Sequence, residues 1–254
     1  MKDKIWLWTH EAGAYNGQYN LPGTSRMTPA EAAWYMGVPN ALFITYANQP
    51  EPPFDQRLLA LSPLQRVVWS IVGDSGSSRT DLDEVLSLAP RFPNLAGAIM
   101  DDFFHAPNAS GAVSRVSVAD LRRFRDRLQS AARPLDLYVV VYAHDLDLPL
   151  QPYLEPCDVV TFWTWTADRL ADLERNFARL EALAPGKRKL LGCYMWDFGA
   201  SRPMPLERMQ FQCRLGQDWL RQGRIDGLIL LSSPICDLGL ETVEWARQWV
   251  AGLP

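Results

Sequence analysis

Short apolar runs recur along this chain, and most are followed by a stretch in which apolar positions fall three and four residues apart. The runs lie at 5–9, 41–47, 66–72, 95–100, 135–143, 159–164, 189–195 and 227–231. They are too short for buried helices and rich in Val, Ile, Leu and aromatic residues, so they predict strands buried on both faces. Residues 117–132 place Val118, Leu121, Phe124 and Leu128 on one helical stripe, and 167–183, 206–221 and 240–250 predict further helices. Thr28-Pro29 opens a helix that Gly37 closes, because a Thr cap, a Pro in the first turn and a Gly beyond the end are its usual punctuation. Residues 80–84 open another, ending near Pro90. The rhythm falters over 48–65, where Pro50, Pro52 and Pro53 remove backbone donors that a helix would use.

Eight strands alternating with helices predict an α/β fold, a single (β/α)8 TIM barrel over residues 1–254, close to the ~250 residues usual for that fold. A doubly wound open sheet also alternates strands and helices. No GxGxxG follows the first run, however, and no GxxxxGK[ST] occurs anywhere. The Gly-rich segment 73–78 lacks a following GK[ST] and reads as a mobile loop rather than a phosphate cradle.

Composition adds exclusions. With 48% hydrophobic and 21% charged residues and a formal net charge of −4, the chain has a globular profile. Arg122, Arg123, Arg125 and Arg127 are interspersed with acids on a solvated helix face, which argues against a nucleic-acid partner. No apolar run approaches the ~20 residues that span a bilayer. The first strand begins at residue 5, which leaves no room for a secretory h-region, so a soluble, cytoplasmic protein without a membrane partner is expected. Cys157, Cys193, Cys213 and Cys236 show no CxxC spacing and are expected as buried thiols in a reducing compartment.

Barrel enzymes carry their chemistry at the carboxyl ends of the strands. Here those ends read Thr9-His10-Glu11, Thr45-Tyr46-Ala47-Asn48, Gly73-Asp74, Asp101-Asp102, Tyr142-Ala143-His144-Asp145, Trp163-Thr164-Trp165, Tyr194-Met195-Trp196-Asp197 and Ser232-Ser233. Trp6 and Trp69, mid-strand, are expected as core, and Trp34, Trp219, Trp245 and Trp249 as packing between helices and barrel. Trp163, Trp165 and Trp196 stand beside polar strand ends, where they serve either as core filler or as flat walls of a pocket. Aromatic walls with convergent polar groups suit a sugar ring. On that reading His10, Tyr46, Asn48, Asp74, His144, Asp145, Tyr194 and Ser232 bind hydroxyls of a carbohydrate substrate.

Asp101 and Asp102 end the apolar run 95–100, a segment that cannot hold two charges within its packed length. They either open a loop, as Asp often does, or supply acid and base at a cleft. Neighbouring side chains on a strand face opposite ways, so both can serve one pocket only if the chain bends there. The sequence Ala98-Ile99-Met100-Asp101-Asp102-Phe103 resembles the adjacent acid pair of barrel glycoside hydrolases that use substrate assistance, such as the O-GlcNAcase-type hexosaminidases. The resemblance is confined to residues 95–104. It implies that Asp101 orients an acetamido group that itself attacks, while Asp102 protonates the leaving oxygen. The chitinase pattern DxxDxDxE is approached but not met, since Phe103 and Phe104 stand where its Glu would be. Without assistance a second carboxylate must come from another strand: Asp197 first, then Glu11 and Asp145.

No cofactor is called for by this reading. Two rivals remain: a metal-dependent sugar isomerase, epimerase or aldolase using His10, Glu11, Asp102, His144 and Asp145, and a barrel that binds carbohydrate without cleaving it. The chain has three His and no HxH or HExxH, which weakens the first.

Overall fold

The computed structural model describes residues 1–73, 80–109 and 111–254. Its barrel strands are β1 (Ile5–Thr9), β2 (Asn40–Phe43), β3 (Arg66–Val72), β4 (Leu95–Met100), β5 (Asp136–Tyr142), β6 (Val159–Trp163), β7 (Arg188–Tyr194) and β8 (Gly227–Leu231). Each pairs in parallel with the next, and β8 pairs with β1, Leu228 facing Ile5, so the sheet closes and no edge is left open. The helices are α1 (Pro29–Met36), α2 (Asp55–Ala60), α3 (Leu82–Leu88), α4 (Val118–Gln129), α5 (Gln151–Leu154), α6 (Leu173–Leu183), α7 (Leu206–Gln222) and α8 (Glu241–Ala251). The fold is the (β/α)8 barrel that the alternation predicts.

Local signals explain the elements. Thr28 and Glu31 form a reciprocal capping box at α1, Pro29 occupies its first turn, and Gly37 ends it at φ 65°. Ser117 accepts the Asp120 N–H at the start of α4, whose Leu121 and Leu128 are buried against the sheet. Where expectation and structure differ, backbone chemistry accounts for it. The proline-rich stretch yields only the short α2, and the long helix expected over 167–183 begins as a 3-10 turn, Ala167–Asp172, before α6. Trp34 corrects an expectation. It is 84% exposed, because α1 packs through Pro29, Ala32, Ala33 and Met36 and turns Trp34 outward.

The barrel interior is filled by large rings paired with missing side chains. Trp6 of β1 meets Tyr138 of β5 at 6.4 Å between ring centroids, although these strands lie on opposite sides of the barrel. Above them Trp8 meets Trp163 of β6 at 5.0 Å, and Trp163 meets Tyr194 of β7 at 5.2 Å. Room comes from glycine. A Cβ on Gly192 would stand 2.0 Å from the Trp163 ring, and one on Gly97 would stand 2.7 Å from Tyr138 and 2.5 Å from the Asp136 carbonyl. Outside the sheet, Trp69 stacks on Phe43 at 4.2 Å and Trp219 on Phe177 at 4.4 Å. All four cysteines are buried free thiols. Among the described residues no helix is long and apolar enough to cross a membrane.

Candidate active site

The end of β4 bends sharply. The Asp101 N–H still reaches the Val72 carbonyl at 2.8 Å, so Asp101 continues the ladder, whereas Asp102 enters the left-handed region at φ 40°. The Asp101 carboxylate accepts the Asp102 N–H at 2.9 Å and so holds the turn that it precedes. Tyr142, at the end of β5, donates its hydroxyl to Asp102 Oδ1 at 2.9 Å. Both carboxylates act electrostatically on the phenols of Tyr142 and Tyr194, and Asp101 acts on Tyr15 as well. The acid pair is therefore ringed by hydroxyls from the β1 loop, β5 and β7. Burial first, and neighbouring charge and polar groups second, push all three phenols well above the ordinary tyrosine range, so they remain protonated donors at neutral pH.

A cleft of about 440 Å³ opens beside this pair, lined by Asp102, Phe104, His105, Arg115, Tyr142, His144 and Trp165. His144 lies flat on Tyr142, with ring centroids 5.1 Å apart and planes 5° from parallel, and Trp165 meets Tyr142 edge-on at 5.9 Å. Asp145 is buried behind them and accepts the Tyr142 N–H at 2.8 Å. Burial raises its carboxyl above the ordinary value of 3.8 and Asp102 adds to this, while the Tyr142 N–H and His144 oppose it. On the far side the chain after β4 forms a hairpin in which Phe104 bridges Ser114 and the His105 N–H reaches the Val113 carbonyl at 2.9 Å. That return brings Arg115 to the cleft.

The other expected site residues lie apart from this cleft or behind it. Trp163 is buried in the barrel and gives its N–H to Thr161 at 2.9 Å, and Tyr194 packs between Trp163 and Trp165. His10 is buried: Nδ1 faces the Ile44 carbonyl at 3.1 Å and so carries the proton, and Nε2 takes the Trp8 N–H at 3.0 Å and the Tyr15 hydroxyl at 2.7 Å. Glu11 turns outward to Arg57 at 2.7 Å. Asp197 is fully buried and holds Ala200 N–H and Arg202 Nε at 3.3 and 3.2 Å. The Trp196 N–H reaches the Tyr19 carbonyl at 3.1 Å. Tyr46 donates to Gln18 at 2.5 Å, and Asn48 sits with Ala47 at positive φ in the two-residue turn between Tyr46 and Gln49. The Ser232 hydroxyl is buried with no hydrogen-bond partner among the described residues. Asp74 and segment 74–78 fall outside the described residues.

No protein-family model matches this chain, and no curated protein sequence matches it. Solved structures do. The active domain 2 of a chitinase from Pyrococcus furiosus superposes with a TM-score of 0.62 at 12% identity, covering 98% of this chain and 93% of that one. A xylanase-α-amylase inhibitor protein solved with trehalose gives 0.60 at 13% identity, covering 98% of both chains. A GH113 β-1,4-mannanase gives 0.56 at 10%, covering 100% of this chain and 99% of the other. Glycoside hydrolase barrels thus stand among the structural neighbours, beside an inhibitor on the same scaffold, and at these identities the likeness is one of fold.

The site can therefore be judged only on its own residues. Among the described residues no three His, Cys, Asp or Glu side chains gather as a metal-binding group. The five residues proposed for a metal diverge, with both His10 ring nitrogens engaged and Glu11 drawn to Arg57. The cleft instead offers a carboxyl group held by a tyrosine beside exposed aromatic faces, a set suited to proton transfer next to a packed ring. Tyr142, Phe104, His105 and Arg115 are lining residues that the sequence did not offer as binding or catalytic groups. Tyr142 was legible in principle, being the final residue of the β5 run, whereas Arg115 depends on a hairpin that no periodicity announces.

Proposed function

We propose that this protein is a glycoside hydrolase in which Asp102 is the proton donor and Asp101 its partner. One observation carries the assignment: the left-handed turn at Asp102, held by the Asp101 carboxylate, places an acid at a cleft with aromatic walls. The structural likeness to chitinase and mannanase barrels is compatible with it. Tyr142 holds Asp102 Oδ1, and the carboxyl so positioned delivers its proton. The proton passes to the glycosidic oxygen as the C1–O bond breaks, and the sugar's C–H face packs on Trp165. Asp101, beneath the cleft among Tyr15, Tyr142 and Tyr194, accepts a hydrogen bond from the substrate group that attacks C1, in line with the resemblance to substrate-assisted hexosaminidases. Water then attacks C1 and breaks the bond that the substrate group made there, its oxygen staying on C1 and its proton passing to Asp102.

The test uses aryl glycosides of graded leaving-group ability, with 2-acetamido and 2-hydroxy sugars in both anomers. Asp102→Asn should lower kcat by about 10²- to 10⁴-fold on poor leaving groups and far less on nitrophenyl ones. An equal loss on all leaving groups would remove Asp102 from the donor role, and binding without turnover in the parent protein would make this a carbohydrate-binding barrel.

A further inference from the structure

Among the described residues that line the cleft, Asp102 supplies a carboxyl group and Arg115 a guanidinium. A neutral sugar needs hydroxyl partners and a flat apolar face, which Tyr142, His144 and Trp165 already provide. A guanidinium on the wall formed with Phe104 is a further feature, and Arg115 is exposed. It is brought there by backbone geometry. The hairpin after β4 pairs Phe104 with Ser114, so the residue after Ser114 returns beside the residues that follow Asp102.

We propose that the cleft takes a glycoside bearing an acidic group, with Arg115 binding that group while the scissile oxygen lies at Asp102. The inference rests on the glycosidase reading and names its substrate class. The field within the cleft fixes the orientation. Asp101, Asp102 and buried Asp145 place three acids at the β4 and β5 ends, and the charge left on Asp102 as it gives up its proton disfavours an anion placed there. The Arg115 side is the place where an acidic group is attracted. The guanidinium presents a planar fork that matches a carboxylate or sulfate through two parallel hydrogen bonds. His144 is 63% exposed at its side chain and lies on the same rim as an adaptable partner, whereas the His105 Nδ1 proton is already given to the Ala106 carbonyl at 2.8 Å. The cleft volume of about 440 Å³ limits the bound portion to a few groups around one charged ring.

The experiment measures binding rather than turnover. Phenyl glucuronide, phenyl glucoside 6-sulfate and phenyl glucoside, in both anomers, are titrated into the parent protein, Arg115→Ala, Arg115→Lys and Arg115→Glu by calorimetry, with thermal unfolding as a control for folding. At least one acidic ligand should bind roughly tenfold tighter than its neutral counterpart, by an advantage that fades as salt rises, while neutral binding stays level. Arg115→Ala should erase the preference, Arg115→Lys keep part of it and Arg115→Glu invert it. Carboxylate against sulfate preference identifies the acidic group. Equal binding of neutral and acidic ligands by the parent overturns the inference and leaves the glycosidase reading standing. So does a loss in Arg115→Ala that is the same for both ligands, since Arg115 would then only balance the charge of the acid pair. Failure of every glycoside to bind overturns both.

Discussion

Tyr142 is the residue on which the site turns, because three of its groups are committed at once. Its hydroxyl holds Asp102, its N–H is held by Asp145 and its ring carries His144. Tyr142→Phe keeps the ring stack and removes only the hydroxyl from Asp102 Oδ1. A loss of about 1.5–3 kcal/mol is expected in hydrolysis, read as kcat/KM on a poor leaving group, because this hydrogen bond strengthens as Asp102 gives up its proton and becomes charged. Asp145 yields a different prediction. Burial raises its folded carboxyl above 3.8, so the folded state is relatively best off below that pH and loses stability as pH rises through the raised value. Asp145→Asn retains an acceptor for the Tyr142 N–H without the charge. Its melting temperature should therefore gain on the parent between strongly acid and neutral pH, and a difference that stays constant across that range would refute the account. The sequence shows why Asp102 is a candidate, but its turn is invisible there. A left-handed Asp carries no distinct signature, and here the Asp101 side chain and Tyr142 from the neighbouring strand both hold it.

At the scale of elements, the strands were legible because burial on both faces leaves continuous apolar runs, and four of them, 5–9, 66–72, 95–100 and 227–231, coincide with the observed bounds. The helix before β2 was legible through its caps and the one before β5 through its apolar stripe. The hairpin after β4 was not, since Phe104 to Ser114 contains neither an alternating apolar pattern nor an Asn-Gly turn. Packing between elements sets a prediction of its own. Gly192 of β7 exists to admit the Trp163 indole of β6, so Gly192→Ala forces ring or strand aside. It should destabilise by about 1–3 kcal/mol in denaturant unfolding, and by disturbing Tyr194 alongside it should also weaken ligand binding. Thr28→Ala, which removes the α1 capping box far from the cleft, should cost about 1 kcal/mol of stability and leave kinetics unchanged.

For the whole molecule, closure of the barrel decides which strand ends share a cleft. Eight polar strand ends were readable, but ring position and loop packing send them to different places. The β1 and β2 loops bury Tyr15 against His10 and Tyr46, and Phe198 of the β7 loop packs onto Tyr15 and Tyr19, filling the mouth on that side. The open cleft lies over β4, β5 and the start of the loop after β6. Because His10 and Glu11 are drawn away from Asp102, His144 and Asp145, hydrolysis should survive incubation with a chelator at full rate, and loss restored by one divalent ion would reinstate the metal-dependent reading. The sequence by itself determined the barrel, its strand count and the carboxylates at the end of β4, since these follow from periodicity and from the cost of burying charge. The tertiary structure alone decided that Asp102 and Arg115 line one cleft, that Asp101 lies buried beside its neighbour, and that Asp197 and Glu11 pair with Arg202 and Arg57. Those outcomes depend on side chains from distant segments meeting across a closed sheet, and local pattern carries no information about such meetings.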